Sequence, residues 1–180
     1  MKKLFLLGLT VLLFVACQNN KKQFTMTSPE IDEVRALVKD YHDGNWESWV
    51  THYADTAKIF HNTWDESKGK TSAETVESLK MILSNMSSYH FEEDDELPWY
   101  EMVTNDKGST WVYFWGNWKG TLAANNKELQ IPVHLSLKFA NGKIAREEGF
   151  YNLSEFTTAL QEIEAVKMAA EAEKESEASE

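Results

Sequence analysis

The sequence predicts an α+β domain in which helices come first, a mostly antiparallel sheet follows and one more helix ends the domain. Two observations carry this prediction. In residues 131–139 apolar side chains alternate with polar ones, which is the period of a strand with one buried face. Asn141-Gly142 then favours a tight hairpin turn, and residues 144–153 form the returning strand. A chain of 180 residues, 42% of them hydrophobic, is long enough for one well-packed core.

Two helices and a short strand are predicted at the start of the domain. Ser28-Pro29 can begin the first helix, which ends at Asp43-Gly44. Asn45 is expected to cap a second, shorter helix. Residues 57–62 are predicted to form a strand. The apolar face of the first helix comprises Ile31, Val34, Leu37, Val38 and Tyr41, and that of the second helix Trp46, Trp49, Val50 and Tyr53.

A capping box between Thr71 and Glu74 predicts a third helix, after a polar loop at 63–70. Residues 89–103 have the character of a strand, but five consecutive acidic residues interrupt it at 92–96. Hard cations prefer several carboxylate oxygens, so this run could be a calcium site. It lacks the glycine and the ligand spacing of a calcium loop, and a solvated strand edge is expected instead. The apolar face of the third helix comprises Val76, Leu79, Ile82, Leu83 and Met86.

The strand at 109–118 is predicted to be apolar on both faces and therefore covered on both sides. Helices can cover one face. The other face, with Trp111, Tyr113 and Trp115, is expected to meet a subunit partner or to be an unusually aromatic exposed surface. Ser154 can cap the final helix, which precedes an acidic tail at 167–180. The apolar face of that helix comprises Phe156, Ala159, Leu160, Ile163 and Val166.

The N-terminus has the pattern of a secretion signal. Met1-Lys2-Lys3 is basic, and the apolar run at 4–16 has the length of a signal-peptide core and is too short for a permanent membrane helix. Phe14-Val15-Ala16-Cys17 resembles a bacterial lipobox; the alternatives are a plain secretory signal with an incidental cysteine and a buried free thiol. We therefore expect a signal peptide at 1–16, a tether at 17–26, a domain at 27–166 and the acidic tail.

The net charge excludes one class of partner. It is −11, and removal of residues 1–16 would leave 16 basic and 29 acidic side chains, or −13. Such a surface disfavours nucleic acid, whose phosphates need basic partners. Cys17 is the only cysteine, so no intramolecular disulfide is expected. Histidine spacing shows no metal site, and no cofactor motif is found.

The order of elements resembles the nuclear transport factor 2-like superfamily, and two stretches resemble its SnoaL-like members. These stretches are Asp40-Tyr41-His42-Asp43-Gly44-Asn45-Trp46 with Tyr53-Ala54-Asp55, and Gly142-Lys143-Ile144 with Gly149-Phe150-Tyr151-Asn152-Leu153. The resemblance covers about residues 30–163. It implies a cone-shaped, strongly curved sheet wrapped around the N-terminal helices, with a ligand pocket inside.

The superfamily includes polyketide cyclases, steroid isomerases and dehydratases, as well as proteins that only bind ligands or partners, so the fold alone does not give the function. The position that matches the acid/base aspartate of SnoaL-type cyclases is Asn152, whose amide cannot exchange a proton near neutral pH. The position of the steroid isomerases' general base falls at His61. Their oxyanion-binding acid falls near Leu135, which cannot donate a hydrogen bond.

His61, Glu147 and Tyr151 are the candidate pocket residues. His61 lies at the end of the first predicted strand. An imidazole titrates near neutrality, so this side chain can carry a proton or form a hydrogen bond at the pocket rim. Under the resemblance, Glu147 and Tyr151 share the face of the last strand that turns into the cone. The alternative for Glu147 is a salt bridge to a neighbouring strand, and Arg146 and Glu148 are expected to face solvent. The alternation places His134 on the outer sheet face, towards solvent or a dimer interface.

Three functions remain open from the sequence. The first is a lipid-anchored domain that binds a small apolar ligand or a protein partner without catalysis. The second is an isomerase or dehydratase with His61 and Glu147 as proton carriers. The third is a structural lipoprotein that forms a homodimer through its outer sheet face. All three place the protein in the bacterial cell envelope, and Gln18 favours the outer membrane by analogy with enterobacterial sorting.

Changing Cys17 to Ser should release the protein from the membrane, because acyl chains on Cys17 would supply the attachment. The measurement is the share of the protein in the membrane and soluble fractions, for the unchanged chain and the variant side by side. Unchanged membrane association of the Cys17→Ser protein would contradict the lipoprotein prediction.

Overall fold

A computed structural model describes residues 24–177. The predicted signal peptide and Cys17 lie outside the described residues, so the lipid anchor remains a prediction. The elements are β1 (Phe24–Thr25), α1 (Pro29–Asp43), α2 (Trp46–Thr51), β2 (Tyr53–His61), a 3₁₀ turn (Glu66–Lys68), α3 (Ser72–Leu83), β3 (Met86–Phe91), β4 (Trp99–Thr104), β5 (Thr110–Leu122), β6 (Glu128–Ala140), β7 (Lys143–Tyr151) and α4 (Ser154–Glu177).

Seven strands form one sheet in the order β1-β4-β5-β6-β7-β2, with β3 also paired to β5. All pairs are antiparallel except β2 with β7. β1 and β2 lie at opposite edges and do not pair, so the sheet curls without closing. The predicted α+β class, with a curved, mostly antiparallel sheet and a C-terminal helix, is confirmed. Residues 24–25, which the sequence assigned to the tether, form the edge strand β1.

The inner face of the sheet and the first three helices enclose the core. Ile31, Val34 and Leu37 of α1 are buried against inner residues of β5 and β6, such as Phe114 and Leu137. This confirms the alternation in β6 and the apolar face of α1. The local signals also hold: the Ser28 hydroxyl accepts from the amide of Ile31, the Thr71–Glu74 capping box forms, and Asn141-Gly142 has positive φ angles of 51° and 75°.

Two predicted boundaries near the pocket are wrong. α2 ends at Thr51, and Tyr53 belongs to β2, because pairing with Ile144 of β7 draws it into the sheet. Asn45 makes no side-chain capping hydrogen bond. Strand pairing also removes Met86 from the predicted face of α3, because Met86 is the first residue of β3 and pairs with Leu122.

A buried histidine links α1 to the end of α2. Nδ1 of His52 lies 3.0 Å from Glu33 Oε1 and Nε2 lies 2.8 Å from Asp40 Oδ2. Burial opposes ionisation of Asp40, but hydrogen bonds from Ser48 and His52 outweigh it and hold the pKa of Asp40 below its usual value. A depressed carboxyl pKa stabilises the fold at neutral pH, and this contribution is lost as the pH falls through the lowered pKa.

The expectation that Arg146 and Glu148 face solvent is wrong. Glu148 is 9% exposed and accepts from Arg146 Nε at 2.7 Å. The Arg146 guanidinium lies 4.0 Å from the centre of the Phe60 ring and also pairs with Glu66 at 2.9 Å. The loop with the 3₁₀ turn folds over this part of the outer face. A two-residue alternation cannot reveal such a loop, which is why the error arose.

The outer sheet face carries a transverse row of aromatic rings. Cross-strand pairing aligns Trp99 with Trp115, Trp115 with His134, and His134 with Phe150, and the Trp64 ring lies 5.2 Å from that of Phe150. We call these five residues the outer aromatic row. Trp64, Trp99 and Trp115 are 69%, 40% and 37% exposed. Within residues 24–177 this side of β5 is covered only in part: Asn117 is 8% exposed and donates to Glu92, whereas Trp115 stays exposed, as the alternative of an aromatic exposed surface expects.

The final helix is longer than its buried face. Phe156 and Ala159 are buried in a core cluster with Leu122 of β5 and Ile131 of β6. Val166, in contrast, is 69% exposed, although it was predicted to lie on the apolar face. The helix continues to Glu177, into the predicted acidic tail. No helix in the described range 24–177 is long and apolar enough to cross a membrane.

Candidate ligand-binding pocket

A cavity of about 120 Å³ lies between the inner face of the sheet and the helices. Its size is comparable with the apolar cavity of about 150 Å³ that accepts benzene in another protein. Most of the wall is aliphatic or aromatic, and the polar groups belong to a few side chains. The lining comprises Leu37, Val38, Tyr41, Trp49, Tyr53, His61, Leu79, Ile82, Phe91, Trp118, Ile131, Val133, Leu135, Glu147, Tyr151, Leu153 and Phe156.

Glu147 is the most buried charged group of this wall, at 3% exposure. The Tyr53 hydroxyl donates a hydrogen bond to its Oε2, and His61 Nε2 lies 3.0 Å from its Oε1. Taking a lone carboxylate out of water costs several kcal/mol, and two donors offset that cost. The expected alternative, a salt bridge to a lysine or arginine, is not what the structure shows: the partners are a phenol and an imidazole.

The parallel pairing of β2 with β7 brings these groups together. His61 pairs with Gly149, and Ile59 pairs with Glu147, so His61 and Glu147 are diagonal neighbours on the inner face. A side chain at position 149 would block the contact, since a Cβ there would lie 2.8 Å from His61 Cδ2 and 3.1 Å from Leu135 Cδ2. Gly149 therefore leaves the space through which the imidazole reaches the carboxylate.

The contact fixes the tautomer of His61. An ionised Glu147 can only accept, so Nε2 of His61 carries the proton and Nδ1 of the neutral ring is left as an acceptor. Within residues 24–177 Nδ1 has no hydrogen-bond partner. The His61 side chain is 25% exposed, whereas that of Glu147 is 4% exposed. His61 thus connects a buried carboxylate to a more accessible ring nitrogen.

Tyr53, like Tyr41 of α1, is a polar pocket residue that sequence reasoning missed. Burial raises the pKa of its hydroxyl well above the usual value, and the neighbouring Glu147 charge raises it further. Tyr53 therefore stays protonated and donates to the carboxylate. Its helical spacing after Trp46 and Trp49 concealed it. Its odd-numbered spacing from Ala57, Ile59 and His61 was the signal that could have placed it on the inner strand face.

Tyr151 lines the same cavity, and its ring meets that of His61 edge to face at 5.5 Å. Burial raises the pKa of Tyr151 above its usual value, and the Glu147 charge adds to the effect. The structure therefore brings all three candidate residues, His61, Glu147 and Tyr151, into one cavity. Their roles in binding or catalysis remain predictions.

Two other residues from the sequence analysis lie outside the cavity. His134 is on the outer face, where Nδ1 lies 3.1 Å from the Phe114 carbonyl oxygen and Nε2 lies 3.1 Å from the Ser136 hydroxyl. Asn152 is exposed, and its Oδ1 accepts from the amide of Ser154 at the start of α4. Asn152, and not Ser154, thus provides the side chain that binds the first turn. Among the described side chains no group of three metal-binding residues is found.

No protein-family model matches this chain, and no curated protein matches it. Solved structures are similar to it. PrhC from Penicillium brasilianum NBRC 6234 has a TM-score of 0.61 at 13% identity, over 81% of this chain and 94% of that chain. A protein described as a SnoaL-like polyketide cyclase from Shewanella putrefaciens CN-32 has a TM-score of 0.55 at 14% identity, over 75% and 98%. An NTF2-like protein of unknown function from Burkholderia pseudomallei K96243 has a TM-score of 0.55 at 12% identity, over 72% and 95%.

These similarities establish the fold: the chain has the nuclear transport factor 2-like architecture that SnoaL-like proteins share. At 12–14% identity they do not transfer a ligand or a reaction. The residues that line the cavity of this chain are therefore the evidence for its function.

Changing Gly149 to Ala should displace His61 from Glu147, because the added methyl carbon would lie 2.8 Å from Cδ2 of the ring, which is shorter than a van der Waals contact. We expect ¹⁵N NMR to show loss of the His61 signature with a protonated Nε2. His134 provides an internal control, since its ring on the outer face should keep its signals. An unchanged His61 spectrum in the Gly149→Ala protein would show that the proposed space requirement is incorrect.

Proposed function

We propose that the domain binds one small, largely apolar molecule in its cone, without turning it over. The observation that carries this proposal is the cavity itself: an apolar chamber of about 120 Å³ whose polar cluster is held by buried hydrogen bonds. Binding pockets commonly combine an apolar lining with a few fixed polar groups.

The charge inside the cavity favours the binding of neutral ligands over anionic ligands. Glu147 is the carboxylate of the wall, and no lysine or arginine is among the residues that line the cavity in the described chain. An anionic ligand would therefore be repelled at short range in a medium of low dielectric. Neutral molecules fit this environment better.

The hydrogen bonds of the cluster favour binding over catalysis. Both oxygens of Glu147 and Nε2 of His61 are already engaged. Asn152, at the position of the cyclase acid, is exposed and binds the helix start, so it supplies no proton carrier to the cavity. Only Nδ1 of His61 remains as a free base at this cluster.

A second candidate function rests on the His61–Glu147 pair. A buried carboxylate that orients an imidazole is the arrangement used to make histidine an effective general base. An isomerase or dehydratase could use His61 Nδ1 to move a proton, with Glu147 stabilising the imidazolium that results. The Shewanella neighbour is described as a SnoaL-like polyketide cyclase, and this description is consistent with an enzymatic role for the fold.

We propose that acyl chains on Cys17 hold this domain at the bacterial envelope, with the outer membrane favoured. The lipobox-like residues before Cys17 support the proposal. Attachment by lipid would leave the cone in the aqueous phase next to the bilayer, where apolar molecules leaving a membrane can be captured.

We also propose that a second copy of the chain covers the outer aromatic row. The charged residues of the two rows of side chains on one side of it are Glu101, Glu148, Lys138 and Arg146, and Glu66 of the overlying loop pairs with Arg146. On its other side Lys119 pairs with Glu92. Charges of both signs therefore flank the row, and two copies can bring opposite charges together across it.

His61→Ala and Glu147→Gln should each weaken ligand binding about tenfold, because each removes a hydrogen bond from the buried cluster. Native mass spectrometry of purified protein should show an added mass that both variants reduce. His134→Ala is the matched control and should keep the ligand. A change in the ligand's own mass or structure on incubation would favour the enzyme; a clean apo mass with no hit from a lipid and metabolite screen would contradict pocket binding.

Trp115→Glu should convert a dimer to a monomer, because it places a charge in the centre of the outer aromatic row. Sedimentation of a soluble chain that begins at residue 18 measures the change. Met81→Glu is the matched control, since Met81 is 73% exposed on α3, away from the sheet face. A wild-type chain that stays monomeric at high concentration would exclude the dimer.

A further inference from the structure

Two tyrosine hydroxyls in the cavity have hydrogens that no neighbour uses. Tyr41 accepts a hydrogen bond from Trp118 Nε1 at 2.9 Å, and its own hydrogen is not donated to any acceptor in residues 24–177. The Tyr151 hydroxyl forms no hydrogen bond within the same range. Both side chains line the cavity. A phenol can donate one hydrogen bond, so two donors remain for a ligand.

Their surroundings keep both hydroxyls protonated. Burial raises the pKa of Tyr41 and of Tyr151 above the usual value, and the two phenols are close enough that ionisation of one would oppose ionisation of the other. Trp118 Nε1 donates to the Tyr41 oxygen and helps to hold that ring in place. Both hydroxyls therefore keep their hydrogens at physiological pH.

The other polar groups of the cavity do not compete for this role. Glu147 is an acceptor, but Tyr53 and His61 already donate to its two oxygens. The Nε2 hydrogen of His61 is directed at Glu147. A ligand oxygen that needs donors will therefore find them at Tyr41 and Tyr151.

We propose that Tyr41 and Tyr151 recognise a neutral carbonyl oxygen, so that the ligand is a small ketone or aldehyde with an apolar body. This inference rests on the proposed function. A carbonyl oxygen has two lone pairs and can accept from both phenols. A carboxylate would meet the Glu147 charge, and a hydrocarbon would leave both phenol hydrogens without an acceptor, which costs free energy. The apolar body would lie against Leu37, Leu79 and Ile82.

The test compares cyclohexanone with methylenecyclohexane, which has nearly the same shape but a CH₂ group in place of the oxygen. Both are titrated by NMR into the chain that begins at residue 18. We expect the unchanged chain to bind the ketone about tenfold more tightly than the hydrocarbon. Tyr41→Phe and Tyr151→Phe should each reduce this preference, and the double variant should abolish it. Hydrocarbon affinity should be retained in all of them.

Tyr113→Phe is the matched control, because this tyrosine lies on the outer face and should leave the preference unchanged. The amide spectrum of each variant checks that the fold is intact. Equal affinity for the two probes, or a ketone preference that survives in the double variant, would overturn the carbonyl inference and leave pocket binding standing. If neither probe binds the unchanged chain, pocket binding of molecules of this size fails, and the carbonyl inference fails with it.

Discussion

The buried carboxylate of Glu147 is the constraint on which the pocket depends. It is almost fully removed from water, and its two oxygens are satisfied by groups from different parts of the chain: Tyr53 at the start of β2 and His61 at its end. Because a buried carboxylate without donors would destabilise the fold, both parts of β2 must pair with β7 as they do, with the register shifting between Tyr53 and Lys58. The pairing after this shift sets the ring of His61 over Gly149 and closes one wall of the cavity.

The remaining architecture explains why a cavity exists at all. Antiparallel strands β4–β7 curl around α1, α2 and α3, and the bulky inner residues pack on the helices at both sides of the chamber. The long strand β5 pairs with β3 along one part and with β4 along another, and the acidic segment 92–96 lies where the two partners separate. Charged side chains there also discourage further strand pairing.

The two faces of the sheet are suited to different partners. The inner face encloses an apolar chamber with one charge and two free phenol donors, which suits a small neutral molecule. The outer face presents aromatic rings flanked by charges of both signs, which suits another protein surface. Within the outer aromatic row the Trp115 ring stacks on that of His134 at 4.8 Å, whereas the rings of Trp64 and Phe150 are tilted by 39°.

The sequence by itself determined the fold class, because periodicity, caps and the Asn-Gly turn are local signals that residues carry wherever they lie. It also identified His61, Glu147 and Tyr151 as inner-face candidates, since strand alternation and the family resemblance fix the side of the sheet. Only the tertiary structure decided which donor meets which acceptor. Tyr53 joined the cluster because strand pairing overrode its helical spacing, and Glu148 became buried because a loop from elsewhere in the chain covers it. Such contacts depend on register and on segments far apart in the chain, which no local pattern specifies.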